Sequence, residues 1–385
     1  MMAHRTPHAP LLLTPGPTPL PPDVLTALGQ PILHHRTPQF QAILKEVAEG
    51  LQAVFRTTQP VYLLASSGTG AMEAAVVNLL SPGDEALVVR AGQFGERWGE
   101  LCEAYGIRVA PLDAPWGQAP TPAQLAAALR AHPTVKAVFT TLCETSTGVA
   151  EDIQGYATVV AATPAVLVVD AISGLGAERL ETEAWGVDVV VAGSQKGLML
   201  PPGLAFITVS LKAWRLVDAS TSPKYYFSLP LMRQVWAREQ DTPFTPAISL
   251  IVALAASLRL IRQEGLDAVL ARHRRHAAAV RRAAQALGLA LYAHPSCAAQ
   301  AITAIQVPAG VNGQQLVKTL RDQHGITVAG GQAELAGKIF RIATMGYIQA
   351  DDLRVAVAAL EQVLAALGWA CPAQAGTKAL QEALA

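Results

Sequence analysis

Lys196 raises the sharpest chemical question in this chain. It lies in "VVVAGSQKGLMLPPG", residues 189–203, directly after an apolar run that is typical of a buried strand. A lysine in an apolar pocket has a lowered pKa, and its neutral amine can form a Schiff base with a carbonyl group. Most lysines with apolar neighbours instead extend the ammonium group into water. Lys196 by itself leaves both interpretations open.

Asp170 is the second chemical candidate, because it ends an apolar run in "LVVDAISG", residues 167–174. A carboxylate at the end of a buried strand is costly unless it is paired. A protonated pyridine nitrogen would be a suitable partner. A helix N-cap or an ordinary salt bridge would satisfy the same carboxylate without any catalytic role.

Three further segments place polar or aromatic groups where predicted strands end. "SSGTGAMEAA", residues 66–75, sets small residues before a helix, where free N–H groups can bind a phosphate; an ordinary turn is the alternative. Phe94 in "AGQFGERWG" can stack on a planar ring or belong to the core. Thr145 in "CETSTGV" can bind a ring substituent or cap a helix. Together with Lys196 and Asp170, these groups match what pyridoxal 5′-phosphate requires.

The elements that must position these residues alternate between strand and helix over about 20–250. Short apolar runs, at 61–66, 85–90, 136–141, 165–171, 187–193 and 204–210, are separated by helical segments. This alternation predicts an α/β domain with a mostly parallel sheet, and the later apolar runs are predicted to be parallel strands buried on both faces. Three regions are expected: an N-terminal extended segment, 1–22; a large domain, 23–261; and a smaller α+β C-terminal domain, 262–385. The last 15 or so residues are expected to attach loosely.

Composition excludes several classes of protein. Lys plus Arg and Asp plus Glu both number 29, so neither a nucleic-acid partner nor an acidic membrane is expected. Four scattered cysteines disfavour a disulfide scaffold and a metal site, and they fit a cytoplasmic protein. The N-terminus does not resemble a signal peptide, and no apolar stretch is long enough for a membrane helix.

Eight motifs resemble one family. They are "TPGPTPLP", "HHRTPQF", "SGTGAMEAAVVNLLSPGD", "ETSTGV", "VVDAISGLG", "GSQKGLMLPPGL", "PFTPAISL" and "GKIFRIATMG". The chain resembles the class V aminotransferases, which have the fold type I of pyridoxal-phosphate enzymes, and nearly its whole length takes part. The branch is that of the alanine–glyoxylate and serine–pyruvate enzymes. It also contains proteins labelled as the small subunit of a soluble hydrogenase and a bacterial subgroup of aspartate aminotransferases.

The resemblance implies a role for each matching residue. Lys196 would hold the cofactor as a Schiff base, and Asp170 would bind its pyridine nitrogen. Thr145 would contact the 3′-oxygen, and the ring would lie between Phe94 and Ile172. Four residues would hold the phosphate: Ser67, Gly68, Thr69 and Gln195.

The resemblance also implies contacts to the substrate and between subunits. Arg341 would bind the substrate α-carboxylate, and the loop around Gly16 would close over the substrate. Thr242 and Thr245 would reach the phosphate of a neighbouring subunit, which implies a homodimer with shared active sites. "DTPFTPA" departs here from the commoner family pattern, which is rich in Tyr and His.

The expected reaction moves an amino group from alanine or serine to a 2-oxo acid such as glyoxylate or pyruvate. Aspartate is the alternative donor. Ser228 stands where relatives commonly have Asp, and this departure leaves the substrate preference undecided. Two other functions are kept in view. A cysteine desulfurase would need a nucleophilic cysteine, and Cys297 lies 101 residues after Lys196. A non-catalytic subunit of a larger complex is the other.

Overall fold

The computed structural model describes residues 10–385, so residues 1–9 of the predicted N-terminal segment lie outside the described part. The strands are β1 Leu11–Leu13, β2 Val61–Leu64, β3 Glu85–Arg90, β4 Arg108–Asp113, β5 Val135–Thr141, β6 Cys143–Glu144, β7 Val149–Ala150, β8 Val166–Asp170, β9 Val189–Gly193, β10 Ala205–Val209, β11 Ile302–Gln306, β12 Ile326–Gly330 and β13 Ile339–Ala343. The α-helices are α1 Pro22–Leu28, α2 Pro38–Phe55, α3 Gly68–Leu79, α4 Gln93–Ala104, α5 Pro122–Ala131, α6 Ile153–Ala161, α7 Thr182–Trp185, α8 Leu211–Ala219, α9 Leu229–Glu239, α10 Ile248–Glu264, α11 Leu266–Ala286, α12 Gly313–His324, α13 Ala350–Ala366 and α14 Ala375–Leu384.

The large sheet has seven strands in the order β2-β10-β9-β8-β5-β3-β4. Strands β3, β4, β5, β8 and β9 run parallel to their neighbours among these five. Strand β10 runs antiparallel to both β9 and β2, so the prediction of a parallel strand at 204–210 was wrong. The physical reason is the short connection from β9, which has no crossover helix, and a parallel return needs a crossover.

Strand β8 shows why its sequence is a continuous apolar run. Its side chains alternate between two cores, one on each face of the sheet: Leu167 and Val169 lie in one, and Val166 and Val168 lie in the other. A strand covered on both faces has no solvent side, so it needs no polar alternation. Its first polar side chain is Asp170, at its carboxyl end.

A second sheet of four strands has the order β1-β12-β13-β11, with a third core between it and helices that include α11, α12 and α13. Strand β1 pairs in parallel with β12. The chain then runs on from β1 into the "TPGP" loop. These two sheets confirm the predicted α/β class, with a large mostly parallel sheet and a smaller α+β unit.

The C-terminal helix α14 corrects the expectation of a loosely attached end. It packs against α11 and α13, and Leu380 is completely buried. Thr377 also donates its backbone N–H and its hydroxyl to the two carboxylate oxygens of Glu361, at 2.9 and 3.0 Å. The apolar side of this short helix therefore completes the third core. No helix in the described part of the chain is long and apolar enough to cross a bilayer.

Candidate active site

Lys196 lies in the tight loop that joins β9 to β10. Ser194 fixes this loop, because its hydroxyl donates to Pro201 O at 2.7 Å and its carbonyl accepts from Leu200 N at 3.2 Å. The Lys196 ammonium donates to Pro15 O. Burial lowers the pKa of Lys196 to about 8, while the charge of Asp170 acts in the opposite direction. The amine is therefore far easier to deprotonate than that of an exposed lysine.

Asp170 ends the neighbouring strand β8 and is almost completely buried. Its Oδ1 accepts the backbone N–H of Ile172 at 2.7 Å, its one hydrogen bond within the described part of the chain. Burial raises the pKa of Asp170 to about 7, with the charge of Lys196 opposing the shift. A positively charged ring nitrogen would compensate this desolvation, as a paired buried carboxylate requires.

The segment 67–69 forms the start of α3. Ser67 is its N-cap residue in extended conformation, and its side chain makes no capping hydrogen bond. Gly70 N donates to Ser67 O at 2.9 Å, and the N–H groups of Gly68 and Thr69 before it have no acceptor in a preceding turn, so they provide an anion site. A Cβ atom on Gly68 would lie 2.5 Å from the Ile172 side chain, so only glycine allows this close approach.

One cavity brings together most of the residues singled out in the sequence. Eight of them line it: Ser67, Gly68, Thr69, Phe94, Asp170, Ile172, Gln195 and Lys196. Thr145 is buried and does not line this cavity, although it lies two residues after Cys143, which does. Thr242 and Thr245 line a different cavity, next to Tyr226 and Phe244. Their contact with a neighbouring subunit stays a prediction.

Arg341 lies in β13 of the second sheet, and its side chain is almost completely buried. Its guanidinium donates to Thr145 O at 2.6 Å and, through Nε and Nη2, to Gly330 O at 3.0 and 2.7 Å. Burial lowers the pKa of Arg341 to about 10, and the charge of Glu144 opposes this. No carboxylate among residues 10–385 forms an ion pair with Arg341, so its charge is open to an anionic ligand.

The loop around Gly16 reaches the lysine directly. Gly16 has a φ of +105°, and a Cβ atom there would lie 2.5 Å from the Lys196 side chain, so glycine is required on both counts. Thr18 donates its hydroxyl to Lys196 O at 3.1 Å. The N-terminal segment thus covers the lysine from the side of the second sheet.

Sequence reasoning missed three residues that line the same cavity: Arg97, Cys143 and Ser173. The Arg97 guanidinium lies 4.9 Å from the Phe94 ring centroid, and its Nη1 lies 3.4 Å from Thr69 Oγ1. The signal was available, because Arg97 follows Phe94 by three positions on a helix and therefore shares its face. Cys143 and Ser173 lie within the quoted segments "CETSTGV" and "LVVDAISG", but sequence reasoning assigned neither of them a role.

Cys297, the candidate for a desulfurase, is placed elsewhere. Its Sγ lies 3.7 Å from Gly117 O and 3.5 Å from His294 O, and it does not line the cavity of Lys196. Burial raises the pKa of its thiol. A reactive cysteine needs a lowered pKa, so this position does not favour nucleophilic chemistry.

The residues present fit pyridoxal 5′-phosphate. The buried polar atoms that have no partner in the described part of the chain include Thr145 Oγ1 and Gln195 Oε1, and Gln195 lines this cavity. Buried polar atoms are rarely left without a hydrogen bond, so unpaired atoms beside a cavity indicate a ligand. The start of α3 suits a phosphate, and Asp170 suits a pyridinium. No group of three or more His, Cys, Asp or Glu residues suitable for a metal occurs in residues 10–385.

Comparison with known proteins gives the same family. The family model "Aminotransferase class-V" matches residues 11–352. The chain is 44% identical to the "Soluble hydrogenase, small subunit" of a Synechococcus species, over 93% of this chain and 94% of the relative. It is 38% identical to the L-aspartate–glyoxylate aminotransferase of Paracoccus denitrificans, over 96% and 95%. The crystal structure of an alanine–glyoxylate aminotransferase from a Nostoc species superposes with a TM-score of 0.89 at 32% identity, over 94% and 97%.

The fold, the buried lysine and the extent of these matches agree. The family model spans most of the chain, and the relatives align over almost their full lengths. The chain therefore belongs to the class V aminotransferases, and it is a transaminase that uses pyridoxal 5′-phosphate.

Proposed function

We propose that this protein transfers the amino group of alanine or serine to glyoxylate or pyruvate. The observation that carries the site assignment is the arrangement of Lys196 and Asp170. Asp170 ends β8, and Lys196 follows the end of the adjacent strand β9. Both line one cavity, and their pKa values are displaced towards neutrality from opposite sides. Such opposed displacements are typical of groups that exchange protons with a ligand.

When bound, pyridoxal 5′-phosphate withdraws electrons from the substrate and makes its Cα proton acidic. The Lys196 amine, with its pKa of about 8, removes that proton and returns it at the next step. Asp170 holds the proton on the ring nitrogen. Arg341 binds the substrate α-carboxylate with two parallel hydrogen bonds. The loop at Gly16 excludes water, and two successive half-reactions give ping-pong kinetics.

The choice of a small donor is supported by the similarity to the Nostoc alanine–glyoxylate enzyme. Ser228, where relatives commonly have Asp, does not line the cavity of Lys196. Here Ser228 is the N-cap of α9, and its hydroxyl accepts Leu231 N at 3.4 Å. Ser228 therefore has a structural role as a helix cap, and this role requires no substrate.

Aspartate is the second candidate donor, and a specific observation favours it. Arg97 lines the cavity as a second cation beside Lys196 and forms no ion pair with any residue in the described part of the chain. A free guanidinium can bind the second carboxylate of aspartate. The Paracoccus relative, named for an aspartate donor, agrees with this candidate.

We further infer a homodimer in the cytoplasm. Thr242 and Thr245 lie away from the Lys196 cavity, beside Tyr225, which is 80% exposed, and the stacked pair Tyr226 and Phe244. An exposed aromatic patch is typical of a surface that a second subunit covers. The four cysteines are free, which fits a reducing compartment. Light scattering that gave the mass of one chain would contradict the dimer.

The deciding experiment is an absorbance spectrum of the purified protein during additions of alanine, serine and aspartate. The donor that removes the visible band, with recovery on glyoxylate or pyruvate, is the substrate. Arg97→Gln separates the two candidates: it should reduce kcat/KM for aspartate about tenfold or more and leave alanine within about twofold. Equal losses of kcat/KM with both donors would exclude Arg97 as the residue that binds the second carboxylate of aspartate.

A further inference from the structure

Glu144 is a buried carboxylate that the proposed mechanism does not use. It ends the two-residue strand β6, directly before Thr145, and its side chain has no solvent exposure. It forms no ion pair with a residue in the described range 10–385. A fully buried carboxylate without a cationic partner is rare, because desolvation disfavours the charged form.

Four donors compensate this desolvation. Oε2 accepts the backbone N–H groups of Phe94 and Gly95 at 2.9 and 3.0 Å. Oε1 accepts the backbone N–H and the hydroxyl of Ser146 at 3.0 and 2.5 Å. Burial raises the pKa of Glu144, and these four hydrogen bonds lower it. Because every partner donates, the geometry is that of an ionised carboxylate, at the positive end of the α4 dipole.

These contacts connect three parts of the site. Phe94, held at the start of α4, lines the cavity. The unpaired hydroxyl of Thr145 follows Glu144 directly, and the carbonyl of Thr145 accepts Arg341 Nη1 at 2.6 Å. A single side chain therefore fixes the spacing between the aromatic ring, the hydroxyl and the carbonyl that orients the arginine.

The packing around Glu144 allows little adjustment. A Cβ atom on Gly92 would lie 2.4 Å from Ser146 Oγ and 2.7 Å from Glu144 Cδ, so only glycine admits the carboxylate at this distance from α4. Ser146 also accepts the N–H of Gln93 at 3.0 Å, which closes the network. Three hydrogen bonds thus join the 144–146 segment to the first turn of α4, and two more lie within the segment.

We propose that Glu144 is a positioning residue, which holds Phe94 and the Thr145–Ser146 turn in the relation that the cofactor ring and Arg341 require. This inference rests on the proposed function. A glutamine in its place would present an amide N–H₂ to backbone N–H donors on one side or the other. Two donors would then face each other, and the spacing between α4 and the turn would be lost.

The test compares Glu144→Gln with Glu100→Gln, the same substitution at an exposed position of α4. Pyridoxal 5′-phosphate is titrated into each apoprotein, and the visible circular dichroism of the bound cofactor is recorded. Glu144→Gln should weaken cofactor binding about tenfold and at least halve the dichroism per bound cofactor. It should also raise KM for the amino donor more than it lowers kcat. Glu100→Gln should match the wild type in each measurement.

Amide hydrogen exchange in the apoproteins supplies a readout that needs no cofactor. Glu144→Gln should accelerate exchange at Phe94, Gly95 and Ser146. If Glu144→Gln does not fold, the Ser146→Ala variant tests the same inference, because it removes the hydroxyl that donates to Glu144. Ser146→Ala should weaken cofactor binding about threefold.

Unchanged cofactor affinity, dichroism and exchange in Glu144→Gln would overturn the inference. A lowered Tm with no change in these three signals would overturn it as well, because the role would then be structural only. A wild-type protein that bound no cofactor would overturn the proposed function instead, and the exchange comparison alone would then decide the role of Glu144.

Discussion

Asp170 lies at the carboxyl edge of the large sheet, where its parallel strands end, and Asp188 lies at the amino edge, where they begin. The surroundings of these two aspartates differ sharply. Asp188 directly precedes β9 and accepts three hydrogen bonds, from Leu167 N at 3.0 Å, Ser210 Oγ at 2.7 Å and Lys212 Nζ at 3.4 Å. Asp170 ends β8 and accepts one, from Ile172 N. Both carboxylates are almost completely buried.

The difference shows how one sheet separates stability from function. At the amino edge, the chain supplies every partner that Asp188 needs, including the cation of Lys212. At the carboxyl edge, Asp170 and Lys196 keep displaced pKa values, and Thr145 and Gln195 keep unpaired atoms. Buried groups without partners destabilise the unliganded protein, and a ligand that pairs with them binds strongly.

The two lysines give the largest expected contrast. Lys196→Ala should reduce transamination by about 10³-fold or more, because the general base and the attachment point are lost together. Lys212→Ala should change kcat by less than about twofold and lower the free energy of unfolding by about 1 kcal/mol or less. Steady-state kinetics and urea unfolding measure both. Comparable activity losses in the two variants would contradict the assignment of catalysis to the carboxyl edge alone.

The two aspartates give a second contrast between the carboxyl and amino edges of the sheet. Asp170→Asn should reduce kcat by about 10²–10³-fold, since the ring nitrogen loses its charged partner. Asp188→Asn should leave kcat near that of the wild type and lower the free energy of unfolding by about 1–3 kcal/mol, because an amide N–H₂ then faces buried donors in place of one carboxylate oxygen. Kinetics after cofactor saturation, with thermal unfolding of both variants, separates the effects. A catalytic defect in Asp188→Asn at full folding would contradict the assignment.

A smaller effect concerns pH. The neutral amine of Lys196 attacks the cofactor aldehyde, and its pKa of about 8 lies below the ordinary lysine value of 10.5. The rate at which the apoprotein takes up cofactor should therefore rise about fivefold from pH 7 to 8 and less than about twofold from pH 8 to 9. Asp170 raises the pKa of Lys196, so Asp170→Asn should move the curve to lower pH. A rate that still rises steeply at pH 10 would show an ordinary lysine.

Much of the site was predictable because ligands bind where parallel strands end. Local patterns placed Lys196, Asp170 and Ser67 at such ends, and the cavity contains all three. Strand direction was less predictable: the apolar run of β10 does not distinguish a parallel from an antiparallel neighbour. The firm attachment of helix α14 was not predicted, because it depends on packing against a core built by helices distant in the sequence.

The sequence by itself determined the strand-and-helix order, the family motifs and the residue types at the strand ends, since these depend on neighbours along the chain. Only the tertiary structure decided which of those residues lack partners. Arg341 meets Thr145 across 196 positions, and Glu144 meets Phe94 across 50. Desolvation and pairing depend on such remote contacts, and they displace the pKa values of Lys196 and Asp170 in opposite directions.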